Sequence, residues 1–105
     1  MSLLIRLGIL VAVLSPYSCI VAQATADQIA PISSALRAGQ YDDALKLLQG
    51  ELERSPQSPQ LWTLRGVANS GKGDKREALG AFRHALSISP DYLPALEGAA
   101  QIEYE

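Results

Sequence analysis

Two stretches decide the fold: Ala38-Gly39-Gln40-Tyr41-Asp42-Asp43-Ala44-Leu45 and Lys72-Gly73-Asp74-Lys75-Arg76-Glu77-Ala78-Leu79. Laid over each other, they pair Gly39 with Gly73, Ala44 with Ala78 and Leu45 with Leu79. Further toward the C-terminus, Leu48 pairs with Phe82, Leu52 with Leu86 and Pro56 with Pro90, all at an offset of 34 residues and without a gap. A fixed period of this length marks stacked supersecondary units, each too small to bury its apolar face alone.

Each unit reads as two helices. In the second, Ser58 and Pro59 offer an N-cap and a first-turn proline. Leu61, Leu64 and Ala68 recur at helical spacing, with Trp62 beside them. Gly71-Lys72-Gly73 supplies a turn able to adopt positive φ. Asp74 is a candidate cap for the next helix, whose stripe is Ala78, Leu79, Phe82, Ala85 and Leu86 before Pro90 stops it. The first unit predicts a helix to about Ala38, a turn at Gly39, a helix from about Tyr41 to Arg54 and a stop at Pro56. Pro31 lies inside its first helix, which is therefore expected to begin late or kink.

The second unit resembles the tetratricopeptide repeat, whose pattern is W-x2-L-G-x2-Y, then A-x3-F, then P. Trp62, Gly66, Ala78, Phe82, Ala85 and Pro90 meet that pattern at the right spacings. Arg65 and Asn69 depart from it, standing where the family has Leu and Tyr, so each is expected at the helix edge with its polar end in solvent. The first unit matches in its second half only: Gln28 replaces the Trp, Ile32 the Gly and Glu51 a small residue. A worn terminal repeat suits a cap, which has no neighbour on one side.

The resemblance implies an all-α, right-handed superhelix of antiparallel helix hairpins. Small Gly66 and Ala78 would allow close helix approach, and large Trp62 and Phe82 would fill the space between hairpins. The expected core includes Leu45, Leu48, Leu52, Leu61, Leu64, Leu79, Phe82, Leu86 and Leu96. The chain divides into residues 1–24 as a signal peptide, 25–58 as a degenerate first repeat, 59–92 as the second repeat, and 93–105 as the first helix of a truncated third repeat or a capping helix. The last segment spreads Leu96, Ala99, Ala100, Ile102 and Tyr104 over more than one face, as if awaiting a partner helix. This suits the start of a longer array, or a chain that pairs with another subunit.

The N-terminus reads as an export signal. Arg6 is the only charge before residue 27, and the apolar run Leu7 to Leu14 is followed by Ser15-Pro16 and then by Ala22-Gln23-Ala24. That is the charged, apolar and A-x-A cleavage order of a secretory signal, with the cut expected after Ala24. Leu7 to Ala22 is only 16 residues with a proline inside, short of the ~20 of a spanning helix. An uncleaved membrane anchor is the alternative, and membrane contact is then expected through this segment only. Cys19 lacks a Leu-like residue three positions before it, which argues against lipidation. With the segment removed, the mature chain would hold no cysteine and could form no disulfide.

Little in the chain points to chemistry. A net charge of −2 and sparse aromatic residues argue against nucleic-acid binding. The run Gly66 to Gly73 nearly spells a phosphate-binding loop, but Gly73 stands where the Mg²⁺-binding hydroxyl belongs and a helix precedes it. His84 is the only histidine, without a metal-ligand partner in motif spacing, and is expected at the surface. Asp42-Asp43 and Glu51/Glu53 are too close in sequence to face each other on a helix. The former pair suits a first helical turn. Lys72, Lys75, Arg76 and Arg83, offset by Asp74 and Glu77, read as a solvated face.

What remains is a surface. By the resemblance, the first helices of successive repeats line a concave groove for a protein or peptide partner. Carried over by position, the groove comprises Ile29, Ser33, Leu36 and Arg37, then Gln60, Thr63, Val67 and Ser70, then Glu97 and Gln101. Only Arg37 matches part of a C-terminal carboxylate clamp, so that ligand is not expected. The expectation is an exported, periplasmic or secreted interaction scaffold: not an enzyme, with no cofactor, metal or small-molecule substrate. The alternative is the N-terminal segment of a larger exported enzyme or envelope assembly machine.

Overall fold

A computed structural model describes residues 26–104, and the signal-peptide and cleavage readings lie outside them. The described residues form five helices: α1 (Ala26–Arg37), α2 (Tyr41–Arg54), α3 (Pro59–Lys72), α4 (Lys75–Ile88) and α5 (Leu93–Tyr104). Helices α1 and α2 pack as one hairpin and α3 and α4 as a second. Helix α2 joins the hairpins through α3, while α5 packs on α4 and also reaches α3. The architecture is an all-α helical repeat.

The period of 34 recurs in the backbone hydrogen bonds. At the first hairpin turn, Gly39 N–H donates to Leu36 O (3.1 Å) and Gln40 N–H to Ala35 O (2.9 Å). At the second, Gly73 N–H donates to Ser70 O (3.0 Å) and Asp74 N–H to Asn69 O (2.9 Å). Both are Schellman closures, in which a left-handed residue lets the chain satisfy the last helical carbonyls. Gly39 (φ 74°) and Gly73 (φ 87°) supply it. Between units, Ser55 N–H donates to Glu51 O and Ser89 N–H to Ala85 O, each at 2.9 Å.

The expected caps form. Ser58 Oγ accepts from Leu61 N–H at 3.3 Å with Pro59 at the first helical position, and Asp74 Oδ1 accepts from Glu77 N–H at 3.4 Å. Helix α1 does not begin late. It is already formed at Ala26, the first described residue, and runs through Pro31. Pro31 and Asp27 are both exposed, so the carbonyl the proline leaves unpaired can turn to water.

Two apolar clusters make the core. The first holds Ile32, Ala35, Ala44, Leu48, Leu52, Leu61 and Ala68, with Leu45 and Leu64 packed against it. The second holds Ala78, Phe82, Ala85, Ala95 and Ala99, with Leu79 and Leu86 against it. Trp62 packs on both and so joins the hairpins, and its Nε1–H donates to Pro56 O at 2.8 Å.

One expected core position is not buried, and one buried position was not anticipated. Leu96 is 42% exposed, not core. It stands in register with Trp62, which α4 helps to cover, but among the described residues no helix follows α5 to cover Leu96. Ile32 is fully buried, although it replaces the family glycine. Its register partner Gly66 faces Phe82, and the register partner of Phe82 is the smaller Leu48. The first hairpin thus carries an Ile and a Leu where the second carries a Gly and a Phe, shifting volume from the second helix to the first.

Candidate binding groove

The Phe82 ring is the central feature. A Cβ on Gly66 of α3 would lie 2.5 Å from it, and a Cβ on Gly98 of α5 would also lie 2.5 Å away. Two glycines on neighbouring first helices therefore admit one aromatic ring between them. Phe82 is only 2% exposed, and burying a side chain of this size contributes roughly 1.5–3 kcal/mol.

Above that ring, α3 and α5 leave a cleft of about 250 Å³. Val67 and Ser70 form one wall; Pro94, Glu97, Gly98 and Gln101 form the other; Phe82 is the floor. Four of the residues placed in the groove from sequence, Val67, Ser70, Glu97 and Gln101, meet here. Val67 is 42% exposed, so its apolar side chain is presented at the cleft. The cleft thus combines an apolar centre, two neutral hydrogen-bonding groups and one carboxylate.

The other groove candidates lie elsewhere. Thr63 is 6% exposed, and its hydroxyl donates to Pro59 O at 2.7 Å, so it is occupied within α3. Leu36 is half-buried against the first cluster. Ile29 and Ser33 are half-buried, Arg37 is exposed in the last turn of α1, and Gln60 is exposed in the first turn of α3. Sequence spacing did not flag Phe82, Pro94 or Gly98 as groove residues. The floor comes from a second helix, and position along the first helices carries no signal for it.

A second cleft, about 590 Å³, opens on the far side of α3 between α2 and α4. Arg65 and Asn69 line it with Asp42, Leu45, Lys46, Gln49 and Glu77. On a helix of 3.6 residues per turn, Arg65 and Asn69 point about 150° away from Val67 and Ser70. Asn69 is 7% exposed, deeper than the edge position expected of it. Arg65 is half-buried, with its guanidinium carbon 5.5 Å from the centroid of the Trp62 ring. The two departures from the repeat pattern were the only sequence signal for this cleft.

Some surface charges are paired. Lys72 Nζ sits 2.6 Å from Asp42 Oδ1, and Arg83 pairs with Glu103 at 3.5 Å. The hydrogen bond and charge of Lys72 hold the Asp42 carboxyl below its usual range, and the reciprocal bond raises Lys72. His84 is exposed, as expected, and its ring lies 3.9 Å from the Trp62 ring at an interplanar angle of 36°. The near-miss phosphate loop is the end of α3 and its glycine cap. Among the described residues, no group of three or more His, Cys, Asp or Glu is placed to hold a metal ion, and no helix is long and apolar enough to cross a membrane.

Helix hairpins repeating every 34 residues, stacked through α2 and α3 and grooved between successive first helices, define a helical-repeat interaction module. The tetratricopeptide repeat family profile matches residues 32–92, more than half of the chain, and the chain belongs to that family. No curated protein and no solved structure gives a significant match. Members of the family act in general as protein–protein interaction scaffolds.

Proposed function

We propose that the chain is an exported adaptor that holds a partner peptide in the cleft between α3 and α5. The observation that carries this reading is the convergence of Val67, Ser70, Glu97 and Gln101 above the Phe82 floor. Its chemistry sets the ligand. An apolar side chain fits over Phe82 between Val67 and Pro94, Ser70 and Gln101 serve the peptide backbone, and Glu97 takes a Lys or Arg. Export rests on the Arg6, Leu7–Leu14 and Ala22-Gln23-Ala24 pattern. Panning a random peptide library on the full chain tests the groove. Enriched peptides should combine an apolar with a basic residue and lose binding to Val67→Glu and Gln101→Lys variants that keep their helical circular dichroism. Undiminished binding to both variants removes the groove from the proposal.

A second reading, a segment of a larger exported assembly, draws on α5. Leu93 is 61% exposed and Tyr104 92%, apolar surface that suits coverage by another helix.

A further inference from the structure

The second cleft has features that a solvated helix face lacks. Asn69 is more than nine-tenths buried as a residue, but its side-chain amide has no hydrogen-bond partner among the described residues and keeps its polar atoms open to solvent at the cleft it lines. An amide left open at a cleft wall is free to hydrogen-bond a ligand there. Arg65 and Glu77 line the same cleft with opposite charges. Neither forms an ion pair with the other or with any other described residue. Asp42, the other carboxylate there, is already taken by Lys72, and Lys46 adds a cation near it. A volume of about 590 Å³ falls within the ~300–1,000 Å³ range of small-ligand sites.

We propose that this cleft binds a short zwitterionic peptide. Its carboxylate meets Arg65, assisted by Lys46. Its ammonium meets Glu77, and the Asn69 amide pairs with the peptide group between them. Opposite fixed charges that line one cleft without joining each other complement a ligand carrying both charges better than one carrying either. The site faces away from the α3–α5 groove and stands independently of the function proposed for that groove.

Calorimetry of the full chain with trialanine, N-acetyl-trialanine and trialanine amide tests it. Trialanine should bind saturably, and each single-charge peptide about tenfold or more weakly, the worth of one charge-assisted hydrogen bond. Glu77→Gln should make trialanine and its acetylated form equivalent, and Arg65→Met should do the same for trialanine and its amide. Val67→Glu, across α3, should leave trialanine binding unchanged. The proposal is overturned if trialanine gives no binding up to about 10 mM. It also fails if the three peptides bind the unaltered chain alike, if the charge variants keep full discrimination, or if Val67→Glu abolishes binding. The comparison of peptides on the unaltered chain decides the matter even where a variant fails to fold.

Discussion

The Phe82 ring occupies the space a side chain at Gly66 would need: a Cβ there would lie 2.5 Å from ring carbon Cε1. Gly66 lies within α3, where alanine would normally stabilise by about 1 kcal/mol. Here the sign reverses. Gly66→Ala and Gly98→Ala should each destabilise by roughly 1–3 kcal/mol through overpacking. Gly50→Ala and Gly80→Ala, in helices with nothing within 4 Å of the added carbon, should instead stabilise by about 0.5–1 kcal/mol. Urea unfolding of the four variants checks the reversal.

The two hairpins also predict a coupling. The first carries Ile32 and Leu48 where the second carries Gly66 and Phe82, so volume added on α3 can be offset by volume removed from α4. Phe82→Leu should therefore rescue part of the loss in Gly66→Ala. A double-mutant cycle should give a favourable coupling of about 1 kcal/mol, within the range seen for residues in contact. Strict additivity would mean the ring and the added methyl do not compete for one space.

Helix starts offer an internal template. Gln40 and Asp74 occupy the same register and nearly the same backbone angles, φ −89° and −90°, but only Asp74 provides a side-chain cap. Gln40→Ser should stabilise by about 0.5–1 kcal/mol, and Ser58→Ala should cost about 1 kcal/mol. Serine avoids adding a charge beside Asp42 and Asp43. Thermal unfolding of both variants measures the two signs.

The Asp42–Lys72 pair should lose its effect at low pH. The Asp42 carboxyl titrates below its ordinary value when folded, so its contribution is present above pH ~4 and is lost as pH falls through the lowered value. Asp42→Asn should thus be less stable than the unaltered chain at pH 7 and indistinguishable from it in strong acid. Because the pair is exposed, about 0.5 M salt should shrink the difference at pH 7. Urea titrations across pH test both statements.

Most of the backbone was legible in the sequence because punctuation and periodicity are local. Gly39, Gly73, Ser58 and Asp74 do what their residue types imply. Pro31 did not delay the helix, because an exposed proline can leave the carbonyl it orphans to water. Leu96 misled because its register places it in a core only when another helix covers it. The site was half legible. Val67, Ser70, Glu97 and Gln101 follow from position on first helices, but Thr63 is turned back onto its own helix by a backbone hydrogen bond. The Phe82 floor needed the tertiary approach of Gly66 and Gly98. The Asn69 amide at the second cleft was visible only as a departure from the repeat pattern.

The most direct test of the groove is to map a selected peptide onto the folded chain by amide chemical-shift perturbation. The largest shifts are predicted at Val67, Ser70, Glu97, Gly98 and Gln101, with Arg65, Asn69 and Glu77 little changed. Shifts centred on Arg65, Asn69 and Glu77, or spread evenly over all five helices, would contradict the assignment of partner binding to the cleft above Phe82.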